Sequence, residues 1–151
     1  MTPTWWIFVV YVCLVFYDIG MTWVLQLMHY PLYHNLGAAE FSTYVQANNQ
    51  RAALPAILPA LVTLAVSLLL VWRRPGTVTT TEAWLAVTLN VAVLLSTAVW
   101  QGRLHGELVS VGKSDAMIDL LVRTNWIRTA AFTIQGALAI KMMVDALTRR
   151  V

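Results

Sequence analysis

The sequence predicts an all-α integral membrane protein, a four-helix transmembrane bundle with a short amphipathic helix between the first and second spans. Three observations carry that prediction. Hydrophobic residues make up 59% of the 151-residue chain and charged residues 11%, against about 45–50% and about 25% in soluble domains, so a water-facing surface cannot be assembled from it. Mean hydropathy is +0.67, the opposite of what disorder requires. Four separate windows supply the ~20 mostly apolar residues that cross a hydrocarbon core of about 30 Å.

The first window covers about residues 5–27, opening on Trp5-Trp6 and interrupted by Asp18. The four residues before Trp5 carry no Lys or Arg, and the window is longer than a signal-peptide core, so it reads as a mature helix. The second covers residues 52–72 and stops at Arg73-Arg74-Pro75-Gly76. The third, residues 83–102, follows a polar start at Thr79, Thr80, Thr81 and Glu82. The fourth, residues 121–144, sits inside a longer helical pattern that begins at Ser114-Asp115, an N-cap followed by an acid in the first turn. Lys141 and Asp145 can snorkel at its far end. Residues 28–51 are too polar to cross; they read as a His-Tyr-Pro turn and then an amphipathic helix over 38–49, with Phe41, Tyr44 and Val45 on one face, expected to lie over the bundle as a lid. No repeat or linker divides the chain, so residues 1–151 form one domain.

Charge sets the orientation. Four spans put both termini on one side, with Arg73, Arg74, Arg149, Arg150 and nearby Lys141. The other side holds Arg51, Arg103 and Lys113, diluted by Glu40, Glu107, Asp115 and Asp119. The Lys/Arg excess places the termini in the cytoplasm, in a bacterial plasma membrane. The net charge of +3 comes from scattered arginines, so no nucleic acid is expected as a partner. Cys13 is the single cysteine, which excludes an intrachain disulfide and a CxxC pair. Nucleophile motifs, P-loops and dinucleotide fingerprints are missing from the sequence, which disfavours triad hydrolysis, phosphoryl transfer and hydride transfer.

Each span carries a polar stripe at helical spacing. Asp18, Thr22 and Gln26 step by four; Pro55, Pro59, Thr63 and Ser67 do the same; Asn90, Thr97 and Gln101 share a face, as do Asn125, Arg128 and Gln135. Polar groups facing lipid are costly, so the stripes are expected to converge on one interior. Asp18 and Arg128 both fall in the outer half and can offset each other as an ion pair; the functional alternative makes Asp18 a proton donor in a lipophilic cavity. Tyr11, Tyr17, Trp23, Trp100 and Trp126 lie near that level and either pack the core or wall a pocket that stabilises a cation on its π-faces. His29, His34 and His105 sit on one side, but no two are spaced i,i+4 on a helix, so no metal is expected.

Two stretches, HYPLYHNLGAAEFSTYVQANNQR and LLVRTNWIRTAAF, resemble small four-helix membrane proteins of the anthrone-oxygenase-like group. Pro31 and the Asn125-Trp126-Ile127-Arg128-Thr129 run carry the likeness. The group's histidine before the second span is replaced here by Asn48-Asn49. That resemblance implies a cofactor-independent oxygenase of aromatic polyketide-like substrates. In size, span count and aromatic loading the chain is also similar to bacterial membrane-bound terpene cyclases, which implies protonation of an olefin or epoxide followed by ring closure. The leading expectation is such an acid-initiated cyclase without cofactor, acting on a lipophilic small molecule in the bilayer. Asp18 would be the acid, Glu40 and Glu107 further carboxylates at the mouth, Gln26, Asn125 and Arg128 its orienting partners, and the five aromatics its wall. The oxygenase is the second expectation, and a non-catalytic subunit or small transporter the third.

Overall fold

The computed structural model describes residues 2–148, so Arg149 and Arg150 lie outside the described residues. The chain is all-α, with helix α1 at Pro3–Val24, α2 at Ala38–Ala52, α3 at Leu58–Arg73, α4 at Thr80–Ser96, α5 at Gly102–Val111 and α6 at Asp115–Thr148. Three wide-turn π-helical segments interrupt or extend these helices: Leu25–His29 after α1, Ala53–Ile57 between α2 and α3, and Thr97–Gln101 between α4 and α5. A 3-10 turn at Pro31–Asn35 follows the first of them. Four uninterrupted helical stretches are long and apolar enough to cross a membrane: Pro3–Asn35, Leu54–Arg73, Thr80–Val111 and Asp115–Thr148. Three of the four exceed 30 residues, well beyond the ~20 that a span needs.

Local sequence explains the boundaries. Pro3 opens α1, where a missing N–H costs nothing. Pro31 has no N–H to give and ends the helical run that includes the first π-segment. Thr79 and Glu82 form a reciprocal capping box at the start of α4: the Thr79 N–H donates to Glu82 Oε2 at 2.8 Å and the Glu82 N–H to Thr79 Oγ1 at 3.2 Å. In the turn before it, the Arg74 guanidinium donates to the carbonyls of Val71 and Val78 and to Thr80 Oγ1. Gly112, at φ 88°, closes α5 in a conformation that only glycine adopts without strain.

Helices α1, α3, α4 and α6 pack in a closed cycle, α1 on α3, α3 on α4, α4 on α6 and α6 on α1. Gly136 permits the last of these contacts to be close, since a Cβ there would run into Ile19 Cδ1. At the end that carries Pro3 and Thr148 the core is built from Phe8, Tyr11, Val15, Leu70, Leu138 and Met142. At the opposite end Tyr30, Tyr33, Phe41, Val45, Leu104, Leu108, Ile118 and Leu121 form a second core. The outer faces are apolar and exposed, with Leu54 at 73% and Leu95 at 60%, a surface that suits lipid better than water.

One expectation is corrected here. The 38–49 segment is not a separate lid laid over the helices. It is the first part of an unbroken helical run from Ala38 to Arg73, packed side by side with α5. The wide turn over Ala53–Ile57 absorbs Pro55, whose ring would clash with the carbonyl four residues back in a regular α-helix.

Candidate functional site

The three π-segments all contribute to the wall of one cavity. Helix α3 packs on α4, and α2 packs on α5, yet the second and third π-segments that join these helices make no comparable contact with each other. The gap is a cavity of about 240 Å³. Leu25 reaches it from the first π-segment, Ala56 and Ile57 from the second, and Thr97 and Gln101 from the third. Asn48, Asn49 and Ala52 extend the wall along α2, Gly102 and His105 along α5; Tyr30 and Arg128 complete it. π-Bulges are rare and concentrate at functional sites. Three around a single cavity mark it as the candidate site.

Its polar groups form two connected sets. On the α1–α6 side, Gln26 Oε1 accepts from Asn125 Nδ2 at 2.9 Å and from Thr129 Oγ1 at 3.4 Å, while Gln26 Nε2 donates to the Val122 carbonyl at 3.2 Å. Asn125 Oδ1 in turn accepts from an Arg128 terminal nitrogen at 3.3 Å. On the α2–α5 side, the Tyr30 hydroxyl lies 3.4 Å from His105 Nε2, Tyr33 is within 3.3 Å of His29 Nε2, and Asn48 Nδ2 donates to Tyr33 at 3.0 Å. Arg128 joins the sets through its field, which acts on both Tyr30 and His105.

Three residues of the wall each keep a buried polar atom without a hydrogen-bond partner: Arg128 Nε, His105 Nδ1 and Gln101 Oε1. Native interiors leave few such atoms, and each calls for a ligand or water. Arg128 is 7% exposed. Among the described residues no carboxylate lies within 4.0 Å of it.

No family model, curated protein or solved structure matches this chain. The chemistry therefore rests on what the residues themselves do.

The expected Asp18–Arg128 ion pair is not formed. Asp18 is buried, and its Oδ2 accepts from Thr63 Oγ1 at 2.6 Å. The reason is register: Gln26 is the α1 residue level with Asn125, and Asp18 lies eight residues before Gln26, about 12 Å along the axis at 1.5 Å per residue, so Arg128 acts on Asp18 only as a more distant charge. Asp18 does not line the cavity. Nor do Glu40, which is exposed on α2, or Glu107, which pairs with Arg103 Nε at 2.7 Å.

The five aromatics do not wall it either. Tyr11 is fully buried in the terminal-end core, stacked on Phe8 and accepting from Gln135 Nε2 at 3.4 Å. Trp23 and Trp126 meet edge to face at 5.6 Å, and Trp23 Nε1 donates to Thr133 Oγ1 at 3.2 Å. Trp100 faces outward. Tyr17 donates to the Pro55 carbonyl at 2.9 Å. That carbonyl lacks its usual α-helical donor because Pro59 has no N–H. Gln26, Asn125 and Arg128 are brought together as the stripes implied. Of the three histidines, His29 and His105 share the Tyr30–Tyr33 cluster, bonding Tyr33 and Tyr30, while His34 lies apart and bridges Asp115 and Asp119. Among the described residues no group of three His, Cys, Asp or Glu is arranged to hold a metal.

Tyr30, Asn48, Gln101 and His105 carry the site and were not singled out from the sequence as its members. The signal was present. Thr97, Gln101 and His105 step by four, as do Asn48, Ala52 and Ala56. Ending the third span at residue 102 cut the first of these runs before its histidine.

Proposed function

We propose that this chain is a four-span integral membrane enzyme, termini in the cytoplasm, that takes a lipophilic small molecule from the bilayer into the π-lined cavity and removes a proton from it. The observation that carries this reading is the gap between the second and third π-segments. It opens where Ile57 and Gly102 are exposed, among the outward-facing apolar side chains Leu54, Val99 and Trp100. A molecule dissolved in lipid reaches His105 and Arg128 without passing through water.

The lining favours negative charge on the substrate. It contains a guanidinium, an imidazole, a phenol, an aliphatic hydroxyl and three carboxamides, and no carboxylate. In the tautomer whose Nε2–H donates to the Tyr30 hydroxyl, His105 Nδ1 is the acceptor for a proton from an acidic C–H next to a carbonyl or aromatic ring. Arg128 Nε is free to donate to the oxygen on which the charge collects, and in a water-poor site such a fixed donor acts strongly. This is the chemistry that a cofactor-independent oxygenase needs. The carbanion gives an electron pair's worth of charge to dioxygen, the C–O bond forms as a hydroperoxide, and loss of water leaves a ketone where a methylene stood. The likeness to the anthrone-oxygenase-like group points the same way.

An acid-initiated cyclase centred on Asp18 is the second reading, and one observation favours it. The Thr63 hydroxyl has a single proton and two neighbouring acceptors, Asp18 Oδ2 at 2.6 Å and the Pro59 carbonyl at 2.9 Å, so a proton on Asp18 would complete the set. Such a proton could start ring closure, but only for a substrate that reaches deeper than the cavity.

The two readings separate in one experiment. Protein reconstituted in lipid vesicles is incubated with one- and two-ring benzylic ketones and, in parallel, with prenylated aromatic epoxides. Oxygen uptake and product mass are recorded for the wild type, His105→Gln and Asp18→Asn. Oxygen uptake that His105→Gln abolishes and Asp18→Asn spares supports the oxygenase. A product of unchanged mass that requires Asp18 supports the cyclase. No turnover in either panel removes both enzymes.

A further inference from the structure

Resting on the reading that the cavity holds a small molecule, we propose that its ligand is a planar aryl carboxylate with a hydroxyl elsewhere on the ring, bound as the anion. The argument comes from what each unpartnered atom demands. Arg128 is a buried cation that hydrogen-bonds Asn125 and the Tyr30 hydroxyl, both neutral groups, and keeps an idle Nε–H. An uncompensated charge in such a place is costly, and a ligand oxyanion offsets it.

Gln101 demands the opposite. The Thr124 hydroxyl spends its proton on the Leu120 carbonyl at 2.8 Å, so it accepts from Gln101, whose Nε2 lies 3.0 Å away. That fixes the amide orientation and leaves Gln101 Oε1 as a buried acceptor. A simple carboxylate leaves it unsatisfied; a neutral alcohol leaves Arg128 uncompensated. A carboxylate with a hydroxyl elsewhere on the ring, out of reach of its own carboxylate, serves both. Ala52 and Ala56 from α2 and its π-segment and Gly102 from α5 present little or no side chain to the cavity, so the face of a ring can lie against them. At about 240 Å³ the cavity is smaller than the ~300–1,000 Å³ typical of drug-sized sites, so one or two fused rings fill it.

The test uses 6-hydroxy-2-naphthoate, its neutral methyl ester and 2-naphthoate, which lacks the hydroxyl. Binding to the full chain in lipid nanodiscs is measured by equilibrium dialysis, with empty nanodiscs as the baseline for partitioning into lipid. The hydroxy acid is expected to bind tightest. Loss of its charge in the ester, or Arg128→Gln, should weaken binding about 30-fold, and loss of the hydroxyl about tenfold. Arg128→Lys should recover part of the loss. Gln101→Leu should erase the preference for the hydroxy acid over 2-naphthoate while leaving the charge preference intact, which keeps the proposal testable if Arg128→Gln fails to fold. An ester that binds as tightly as the acid, or a Gln101→Leu variant that still prefers the hydroxyl, overturns this ligand assignment while leaving the cavity reading standing. Failure of all three probes overturns the assignment as well; the cavity reading then stands or falls on the turnover experiment above.

Discussion

Tyr17 separates a structural role from a substrate-binding one, and Tyr17→Phe is the perturbation that does so. The hydroxyl donates to the Pro55 carbonyl at 2.9 Å, and that carbonyl depends on it because Pro59 offers no N–H one turn later. The substitution removes one oxygen, leaves no cavity and strands a carbonyl on an outward-facing apolar wall. Net hydrogen bonds contribute about 0.5–1.5 kcal/mol in general, and cycles within membranes average about 0.6 with a maximum near 1.7. With no competing donor close by, Tyr17→Phe should cost about 1 kcal/mol. Pro59→Ala supplies the missing N–H, so in that background Tyr17→Phe should cost almost nothing, a coupling of about 1 kcal/mol in the double-mutant cycle. Reversible unfolding in mixed micelles reads the cycle, and turnover is measured on the same samples. Additive effects would refute the assignment of Tyr17 to the proline. A loss of turnover without a loss of stability would return it to the substrate.

Other consequences can be checked with the same preparations. Thr79→Ala removes the hydroxyl half of the α4 capping box while keeping the backbone N–H to Glu82, and should lower stability by about 1 kcal/mol in thermal unfolding. Gly112→Ala places a Cβ at φ 88°, and should cost at least about 1 kcal/mol with no change in ligand binding. Gly136→Val drives a side chain into Ile19 across the α1–α6 contact and should destabilise by about 1–3 kcal/mol, read as a lower melting temperature. Ala56→Phe fills the slot between the π-segments and should abolish probe binding while the melting temperature holds or rises.

The helical class and the four apolar stretches were legible because each rests on a long run of residues, and composition over 20 positions outvotes local exceptions. The polar constellation of Gln26, Asn125 and Arg128 was legible for a related reason: polar side chains in apolar helices have few places to go, and these three meet. Asp18 was misjudged because helical periodicity gives the face of a residue but not its height against a neighbour. A register error of two turns turns an ion pair into a threonine contact. The aromatics misled in another way. Trp100, Trp126 and Tyr17 face outward, and a tryptophan or tyrosine looks the same in sequence whether it walls a pocket or sits against lipid. The π-segments were the largest omission. Pro55 hints at the second, but nothing comparable marks Leu25–His29 or Thr97–Gln101, since a wide turn arises from packing more than from residue type.

The most direct test of the cavity as the ligand site is to locate a heavy atom in it. Crystals of the full chain grown in lipidic mesophase with a bromo-substituted 6-hydroxy-2-naphthoate would be measured at the bromine edge. The expected result is one anomalous peak between the second and third π-segments, beside Arg128 and Gln101, that disappears in Ala56→Phe crystals. A peak instead in the apolar groove between Val12 and Met143 at the terminal end, unchanged by Ala56→Phe, would contradict it.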